Sequence, residues 1–285
     1  MTVTLRQATV KDAEQCGSIC YSAFKAIADK HNFPPDFPSP EYATSVMTEL
    51  LSHPQIFGVV AEIDGLVVGS IIADERSVIV GIGPLTVDPS VQNQAVGRGL
   101  MHYILTRVKE QRFPGARLVQ AAYHNRSLSL YAKLGFVARE PLSTMQGSSM
   151  GISVPGYTVR PATSADLETC NQICSKIHGH DRGGELADAI KRGTATVVEH
   201  QGHITGYATA LAFFGHAVGE TNKELKALIG AAPAFMGPGF LLPTRNGELF
   251  RWCLENGLRI VQPMTLMSIG LYNEPSGAFL PSILY

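Results

Sequence analysis

Charge is scarce in this sequence. Lysine, arginine, aspartate and glutamate make up 16% of its 285 residues, and the formal net charge at pH 7 is -1. Because lysine and arginine form no basic cluster, we expect no surface that binds nucleic acid. Hydrophobic residues make up 45% of the chain, a share that favours folded domains with sizeable cores over disorder. The length suffices for two domains of ordinary size.

The sequence also lacks the marks of export and of a membrane span. Its first residues show no basic segment followed by an apolar one, so we expect no secretory leader. The long, mostly apolar uncharged run 227–243 contains Pro233, Pro238 and several glycines. That composition predicts loop and strand rather than a membrane helix. We therefore expect a cytoplasmic protein without a membrane partner.

Cysteine is rare, and the five residues are odd in number. Cys16 and Cys20, and likewise Cys170 and Cys174, are separated by one helical turn, which places each pair on one helix face. Further metal ligands of the right type are missing nearby in the sequence. We expect buried, reduced thiols and no metal, as is usual in the cytoplasm.

Two segments of the chain repeat each other without a gap. Residues 3–20 read VTLRQATVKDAEQCGSIC, residues 157–174 read YTVRPATSADLETCNQIC, and about half of the positions agree. In both, a short strand precedes a predicted N-cap, Thr9 or Thr163, and an amphipathic helix follows. The alternative is one domain with a chance local echo. The repeat instead predicts two similar domains, residues 1–147 and 156–285, joined by a linker at 148–155 that is rich in serine and glycine.

Both halves continue with a predicted strand hairpin. In the first, strands 57–63 and 66–73 flank Asp64–Gly65, and Asp-Gly between apolar runs is typical of a tight turn. In the second, strands 195–199 and 204–213 flank Gln201–Gly202. Each half then has an asparagine, a predicted helix, and a glycine with an apolar neighbour. These are Asn125 with Gly135–Phe136, and Asn246 with Gly257–Leu258.

The most informative segment is a glycine-containing turn at the start of a predicted helix. An apolar strand ends at Leu85–Val87, Asp88–Pro89 breaks it, and Gln94–Gly99 leads into the helix. The first N–H groups of a helix have no internal partner, and the helix dipole adds partial positive charge there. Glycine at 97 and 99 lets an anion approach the backbone. The spacing fits neither a dinucleotide fingerprint nor a P-loop, and a purely structural turn is the alternative.

With its surroundings, this segment resembles the GCN5-related N-acetyltransferase (GNAT) superfamily. The resemblance rests on the order of the elements along the chain. A strand is followed by Q-x-x-G-x-G, a helix, the strand 116–122, Asn125 and the sequence LYAKLGF at 130–136. It covers residues 3–147 and, more weakly, the second half. It implies an α/β fold, an α+β arrangement around a mixed sheet, in two tandem GNAT-like lobes. It also implies that acetyl-CoA lies where two middle strands splay apart.

The resemblance further implies residue roles. Backbone groups of Leu85, Thr86 and Val87 correspond to those that hydrogen-bond the pantetheine arm, and Asn125 to a residue that contacts this arm. Tyr131 corresponds to the residue next to the departing thiolate, where its hydroxyl is expected to act as general acid; core packing is the alternative. The pyrophosphate-binding turn corresponds to Gln94, Ala95, Val96, Gly97, Arg98 and Gly99.

The general base is missing from its usual place. Many family members carry a glutamate on the strand before the phosphate turn, but residues 78–85 contain no acid. Glycines and a proline there predict a bulge instead. A base acting through water and an amine that arrives neutral are both open alternatives. The candidate side chains are Asp74, Glu75 and His124.

The loop His31–Pro38 follows the first predicted helix, where the family covers its acceptor site. Prolines make this loop stiff, and Phe33 and Phe37 are its expected apolar anchors. The alternative is a rigid surface loop. The residues that would contact a polar acceptor are His31, Asn32 and Asp36.

The second half lacks the phosphate turn. Residues Phe214–Thr221 stand in its place, and Glu220 would bring a carboxylate near the phosphates. We expect this lobe to bind no CoA, and either to shape the acceptor pocket or to replace a dimer partner. We expect a monomer or a homodimer. The segment His178–Arg182 is expected to line a groove between the lobes rather than to hold a metal.

The sequence therefore predicts an N-acetyltransferase that moves the acetyl group of acetyl-CoA to a small-molecule amine. A protein or peptide acetyltransferase is one alternative. A non-catalytic module that senses acyl-CoA is another, favoured by the missing glutamate and disfavoured by Tyr131.

Overall fold

The computed structural model describes residues 2–284. Its strands are β1 Val3–Gln7, β2 Ile56–Ile63, β3 Leu66–Asp74, β4 Ile79–Val87, β5 Gly115–Ala121, β6 Val137–Gln146, β7 Tyr157–Pro161, β8 Thr196–His200, β9 His203–Ala208, β10 Ala217–Gly219, β11 Phe240–Pro243, β12 Arg259–Gly270 and β13 Ala278–Leu280. Its α-helices are α1 Ala13–His31, α2 Pro40–Ser52, α3 Val96–Glu110, α4 Asn125–Lys133, α5 Leu167–His178, α6 Gly183–Arg192, α7 Asn222–Ala231 and α8 Gly247–Glu255.

These strands form two sheets. The larger has the order β1-β2-β3-β4-β5-β12-β6-β11, and the smaller has the order β13-β10-β9-β8-β7. In the larger sheet β4 and β5 are parallel, and the other neighbours are antiparallel. The mixed sheet and the α/β class predicted from the sequence are confirmed.

The repeated segments fold alike in detail. Thr9 and Asp12 form a reciprocal capping box, and Asp12 also accepts two hydrogen bonds from Arg6, at 2.8 and 2.9 Å. Thr163 forms the same box in the second half. The ion pairs recur as well, because Arg160 joins Asp166 and Glu199 just as Arg6 joins Asp12 and Glu62. The N-caps predicted at Thr9 and Thr163 are confirmed.

The two halves exchange a strand. β12 belongs to the second half of the chain, yet it lies between β5 and β6 of the first, with Met264 opposite Ala121 and Gly270 opposite Gly115. β6, in turn, pairs with β11 of the second half. The larger sheet therefore combines strands from both sides of residue 147. The domain boundaries derived from the repeat stay a prediction.

Each helix layer covers one face of a sheet. In the first half, α1 and α2 pack on one face around Val60 and Ile72, while α3 and α4 pack on the other around Val80 and Ile82.

All five cysteines are buried and free, as expected. None of the helices within residues 2–284 is both long and apolar enough to cross a membrane.

Two predictions about local structure need correction. The hairpin turns are where they were expected, with positive φ at Asp64–Gly65 and Gln201–Gly202, but β9 ends at Ala208 instead of 213. There the chain folds back, because the Thr209 N–H donates to the His216 carbonyl at 2.9 Å. The uncharged run 227–243 begins as the last turns of α7 rather than as a loop, since this helix starts at Asn222 and its capping box supports continuation.

Candidate active site

A cleft begins where β4 and β5 separate. These strands pair from Ile79–Gly115 to Gly81–Arg117. β4 then continues to Val87 along β3, and within residues 2–284 its other edge has no strand partner. The register slips at Gly83–Pro84, which confirms the predicted bulge. An unpaired strand edge offers backbone N–H and C=O groups to a ligand in the gap.

α3 begins directly behind this gap with an open N-terminus. Its N-cap residue, Ala95, has φ 61° and no capping side chain, and the first turn contains no acid. Unsatisfied N–H groups and the helix dipole together favour an anion here. Arg126, on α4, donates to Asn93 Oδ1 at 2.7 Å beside the same turn. Sequence analysis did not identify Arg126, because no motif marks it and its contact joins residues distant along the chain.

The glycines of the turn are not required by packing. A Cβ atom on Gly97 would lie 3.6 Å from Val87 Cγ2 and 3.9 Å from Leu130 Cδ2, and one on Gly99 would lie 3.6 Å from Leu5 Cδ1. These are ordinary van der Waals distances. At Gly69, by contrast, a Cβ atom would lie 2.8 Å from the Thr86 carbonyl oxygen. Gly97 therefore leaves space between β4 and α4 that a ligand can fill.

Tyr131 lies on α4 with its ring in the core. Its side chain is 8% exposed, and its ring centroid is 6.1 Å from that of Phe136 in an edge-on arrangement. Burial raises the pKa of the Tyr131 hydroxyl well above its ordinary value, so the group keeps its proton at any ordinary pH. A proton donor and a packed core residue both fit this geometry, and the catalytic role stays a prediction.

The three candidate bases are engaged or neutral. Asp74 Oδ1 accepts a hydrogen bond from Arg76 Nε at 2.9 Å. Glu75 accepts two from Arg107, at 2.6 and 2.8 Å. Burial, followed by the nearby cations, lowers the pKa of His124 to about 4. Ion-paired carboxylates and a weakly basic imidazole are poor proton acceptors at neutral pH.

The loop between α1 and α2 is anchored at both ends. The Phe33 ring stacks on Tyr123 with centroids 4.2 Å apart, and Phe37 packs edge-on to Phe24 at 5.8 Å. Between them, Asp36 Oδ1 accepts a hydrogen bond from Gln262 Nε2 at 2.7 Å. The two aromatic anchors were predicted from the sequence. The contact with β12 was not, because it joins residues 226 positions apart.

Comparison with known protein families identifies the domain that contains this cleft. A profile of the Acetyltransferase (GNAT) family matches residues 24–136, a span that includes the separating strands and the open helix start. Residues 24–136 form a GNAT acetyltransferase domain. The protein is accordingly an acyltransferase that needs an acceptor substrate.

Three solved structures resemble this chain over nearly its whole length. A Pyrococcus horikoshii protein proposed to be an acetyltransferase has a TM-score of 0.74 at 18% identity, with 97% of this chain and 94% of that one covered. A GCN5-related N-acetyltransferase from Sphaerobacter thermophilus gives 0.62 at 14%, covering 95% and 96%. A tandem GNAT protein from clavulanic acid biosynthesis gives 0.57 at 12%, covering 94% and 98%. Comparison with curated proteins gave no match. The tandem GNAT fold predicted from the repeat is confirmed.

The GNAT fold binds acyl-CoA, and the cleft of the first half suits this ligand. The free edge of β4 exposes backbone groups, the start of α3 has N–H donors, and Gly97 leaves room between them. Among residues 2–284, no three His, Cys, Asp or Glu side chains are arranged to hold a metal ion.

The corresponding place in the second half is closed in two ways. β13 pairs with β10, with Val218 opposite Phe279, so a strand lies along the edge that β4 leaves open. At the start of α7, Glu224 accepts hydrogen bonds from the N–H and hydroxyl of Thr221, so a carboxylate already occupies the helix start. Glu220, expected near the phosphates, instead pairs with Lys176 at 2.7 Å.

In the segment His178–Arg182, the side chains of His178, His180 and Arg182 are buried, whereas Gly179 and Asp181 are exposed. Arg182 donates two hydrogen bonds to Glu185, at 2.7 and 2.8 Å, and His178 packs edge-on to Phe279. Ser77 of the first half donates to the Asp181 carbonyl at 3.0 Å. The segment thus contributes to the contact between the two halves.

Proposed function

We propose that this GNAT protein transfers the acetyl group of acetyl-CoA to the amine of a small molecule, by direct transfer in a ternary complex. The observation that carries the proposal is the open start of α3 at the end of the gap between β4 and β5. Its amides from Gln94 to Gly99 would hold the pyrophosphate, with Arg126 and Arg98 as added positive charge. Leu85, Thr86 and Val87 would hold the pantetheine arm, and Asn125 would contact it.

The acceptor side supports a small substrate. The loop from His31 to Pro38 is fixed by Phe33 on Tyr123 and by Phe37 on Phe24. Gln262 of β12 fixes its middle. A loop anchored at three points has little freedom to open for a folded protein, so a small amine suits it better. We also propose that the lobes comprise residues 1–147 and 156–285, and that only the first binds the donor.

Proton transfer at the leaving group is assigned to Tyr131. The amine nitrogen forms a bond to the thioester carbonyl carbon, and a strand N–H near Val87 would stabilise the oxyanion. The carbon–sulfur bond then breaks, and the Tyr131 hydroxyl protonates the sulfur. Its raised pKa ensures that the proton is present before the thiolate leaves.

Calorimetric titration of the full chain with acetyl-CoA tests the binding site. We expect one equivalent to bind, and binding to be lost in Gly97→Glu because the new carboxylate enters the anion site. The matched control is Gly247→Glu, which adds the same charge to the first turn of α8 in the second half and should leave affinity unchanged. Two equivalents, or an unchanged affinity in folded Gly97→Glu, would refute the site.

Thiol release during incubation with acetyl-CoA tests the acceptor class. Small primary amines and unstructured peptides of equal amine concentration are offered in parallel. We expect faster release with small amines. Release with peptides alone would contradict the small-molecule assignment, and CoA binding without any release would favour the sensor interpretation.

A further inference from the structure

We propose that Asp36 binds the amine of the acceptor and takes its proton, and that Gln262 and Tyr123 hold Asp36 in position. This assignment rests on the proposed amine acetylation, and it names a base that the strand before the phosphate turn lacks. The three residues come from the α1–α2 loop, from the exchanged strand β12 and from the turn after β5. The second half of the chain therefore completes the acceptor site of the first.

The hydrogen bonds fix the orientation of each group. Asp36 Oδ1 accepts from Gln262 Nε2 at 2.7 Å, and an ionised carboxylate can only accept. The amide NH2 of Gln262 must therefore face Asp36, which turns its Oε1 to Tyr123. The Tyr123 hydroxyl donates to that oxygen at 3.0 Å. Gln262 is 1% exposed, so this arrangement has little freedom to rotate away.

The second carboxylate oxygen of Asp36 is left for a ligand. Within residues 2–284, the Asp36 carboxylate accepts its hydrogen bond from Gln262 at Oδ1. Its other oxygen, Oδ2, has no hydrogen-bond donor among these residues. Asp36 is partly exposed, in contrast to Gln262. A half-buried carboxylate with one oxygen fixed and one open is suited to receive an ammonium or a neutral amine.

The cluster lies at the correct end of the cleft. Tyr123 follows β5 directly, and the Ala122 N–H donates to the Pro263 carbonyl of β12 at 3.0 Å. This is the end at which β4 and β5 have moved apart. The α1–α2 loop, which carries Asp36, joins the two helices on one face of the sheet, whereas α3 and its open start lie on the other face. A donor bound at the start of α3 that extended through the gap between β4 and β5 would reach the side of the sheet that carries this loop.

Among the titratable groups of this cluster, Asp36 is the one that carries a negative charge. Burial raises the pKa of Tyr123 and of Cys20, so both are protonated and neutral. His124 is neutral because its pKa is lowered to about 4. His31 and Lys30, from the end of α1, act on His124 as positive charges. Burial also raises the pKa of Asp36, while the Gln262 hydrogen bond opposes that rise. A stronger base at this place helps proton removal.

The proton transfers balance with those already assigned. An amine that arrives as an ammonium first loses one proton to solvent through Asp36 Oδ2. As the C–N bond forms, the now neutral amine gives one further proton to Asp36 Oδ2. As the C–S bond breaks, Tyr131 gives one proton to the sulfur. Solvent then takes the proton from Asp36 and returns one to Tyr131. The products are the acetylated amine and the free thiol.

Steady-state kinetics with benzylamine and butylamine as probes test the assignment. Asp36→Asn keeps an acceptor for Gln262 and should still fold, yet its kcat/KM for the amine should fall roughly 10²–10⁴-fold, with acetyl-CoA affinity unchanged. Gln262→Met removes the hydrogen bond that lowers the Asp36 pKa. The acidic limb of its kcat/KM profile should therefore move to higher pH, a shift that loss of packing alone would not produce. Tyr123→Phe should move the limb in the same direction by less.

The control is Asp29→Asn, an exposed carboxylate on α1 that pairs with Lys25; its rate and pH profile should match the wild type. Near-wild-type kcat/KM in Asp36→Asn, or an unmoved acidic limb in Gln262→Met, would overturn the assignment.

Binding of benzylammonium to the CoA complex, followed by NMR, tests the assignment even without turnover. Loss of this binding in Asp36→Asn supports the role, and equal binding overturns it. A wild-type enzyme that binds CoA and benzylammonium but releases no thiol would count against the proposed function, not against Asp36 as the amine site.

Discussion

Replacing Gly97 by alanine separates a role in folding from a role in donor binding. The added methyl group would touch Val87 Cγ2 at 3.6 Å and Leu130 Cδ2 at 3.9 Å, so the protein can accommodate it. The same methyl would fill the passage between the end of β4 and α4. A variant with an intact fold and impaired acetyl-CoA binding is therefore expected.

Both magnitudes follow from this geometry. Alanine is a better helix former than glycine, so the fold should gain about 0.4–1 kcal/mol. For a chain of this size that corresponds to a rise in Tm of roughly 1–4 °C. Forcing a methyl group into a filled site typically costs about 1–3 kcal/mol. Since about 1.4 kcal/mol is tenfold in affinity, the Kd for acetyl-CoA should rise about 5- to 150-fold.

Calorimetry and thermal unfolding measure the two effects on the same samples. The matched control is Gly247→Ala, at the first position of α8 in the second half, where the nearest atom is the mobile end of Arg251 at 3.2 Å. It should change Tm slightly and leave the Kd unaltered. A Kd within twofold of wild type in folded Gly97→Ala would show that the donor does not pass between Val87 and Leu130, and would refute this placement of the cleft.

Two further predictions concern proton transfer and acid stability. Tyr131→Phe keeps the ring against Phe136 and removes the hydroxyl proton. The kcat should therefore fall about 10²–10⁴-fold, with little change in CoA affinity. An unchanged kcat in an assay where chemistry limits the rate would show that Tyr131 has only a packing role. Hydrogen bonds from Arg6 lower the pKa of Asp12 to about 2, below its value of about 3.9 in the unfolded chain. The stability from this carboxylate is therefore complete above about pH 5 and is lost as the pH falls toward 2. The difference in Tm between wild type and Asp12→Asn should shrink over that range, and a constant difference would contradict the pKa shift.

Local features of this protein could be predicted because short segments determine them. The capping boxes at Thr9 and Thr163 depend on residues three positions apart, and the turns at Asp64–Gly65 and Gln201–Gly202 on two residues that accept positive φ. The open start of α3 follows from the residues of the turn itself. The turn before α3 also carried part of the family resemblance, whereas the capping boxes and the hairpin turns supported the repeat.

The ends of strands and helices were predicted less well than their positions along the chain. The strand expected to reach 213 ends at Ala208, because hydrogen bonds between Thr209 and His216, seven positions apart, turn the chain. The run beginning at Ala227 is apolar because it completes the buried side of α7, and its composition alone did not distinguish helix from loop.

The sequence by itself determined the repeat, the glycine-containing turn at the start of α3 and the lack of such a turn in the second half. Only the tertiary structure decided that β12 enters the sheet of the first half and that β13 lies along β10. It also decided that Gln262 meets Asp36, 226 positions away. The physical reason is that strand pairing and buried hydrogen bonds depend on which edges meet in space, and the alternation of apolar residues along a strand does not name its neighbour.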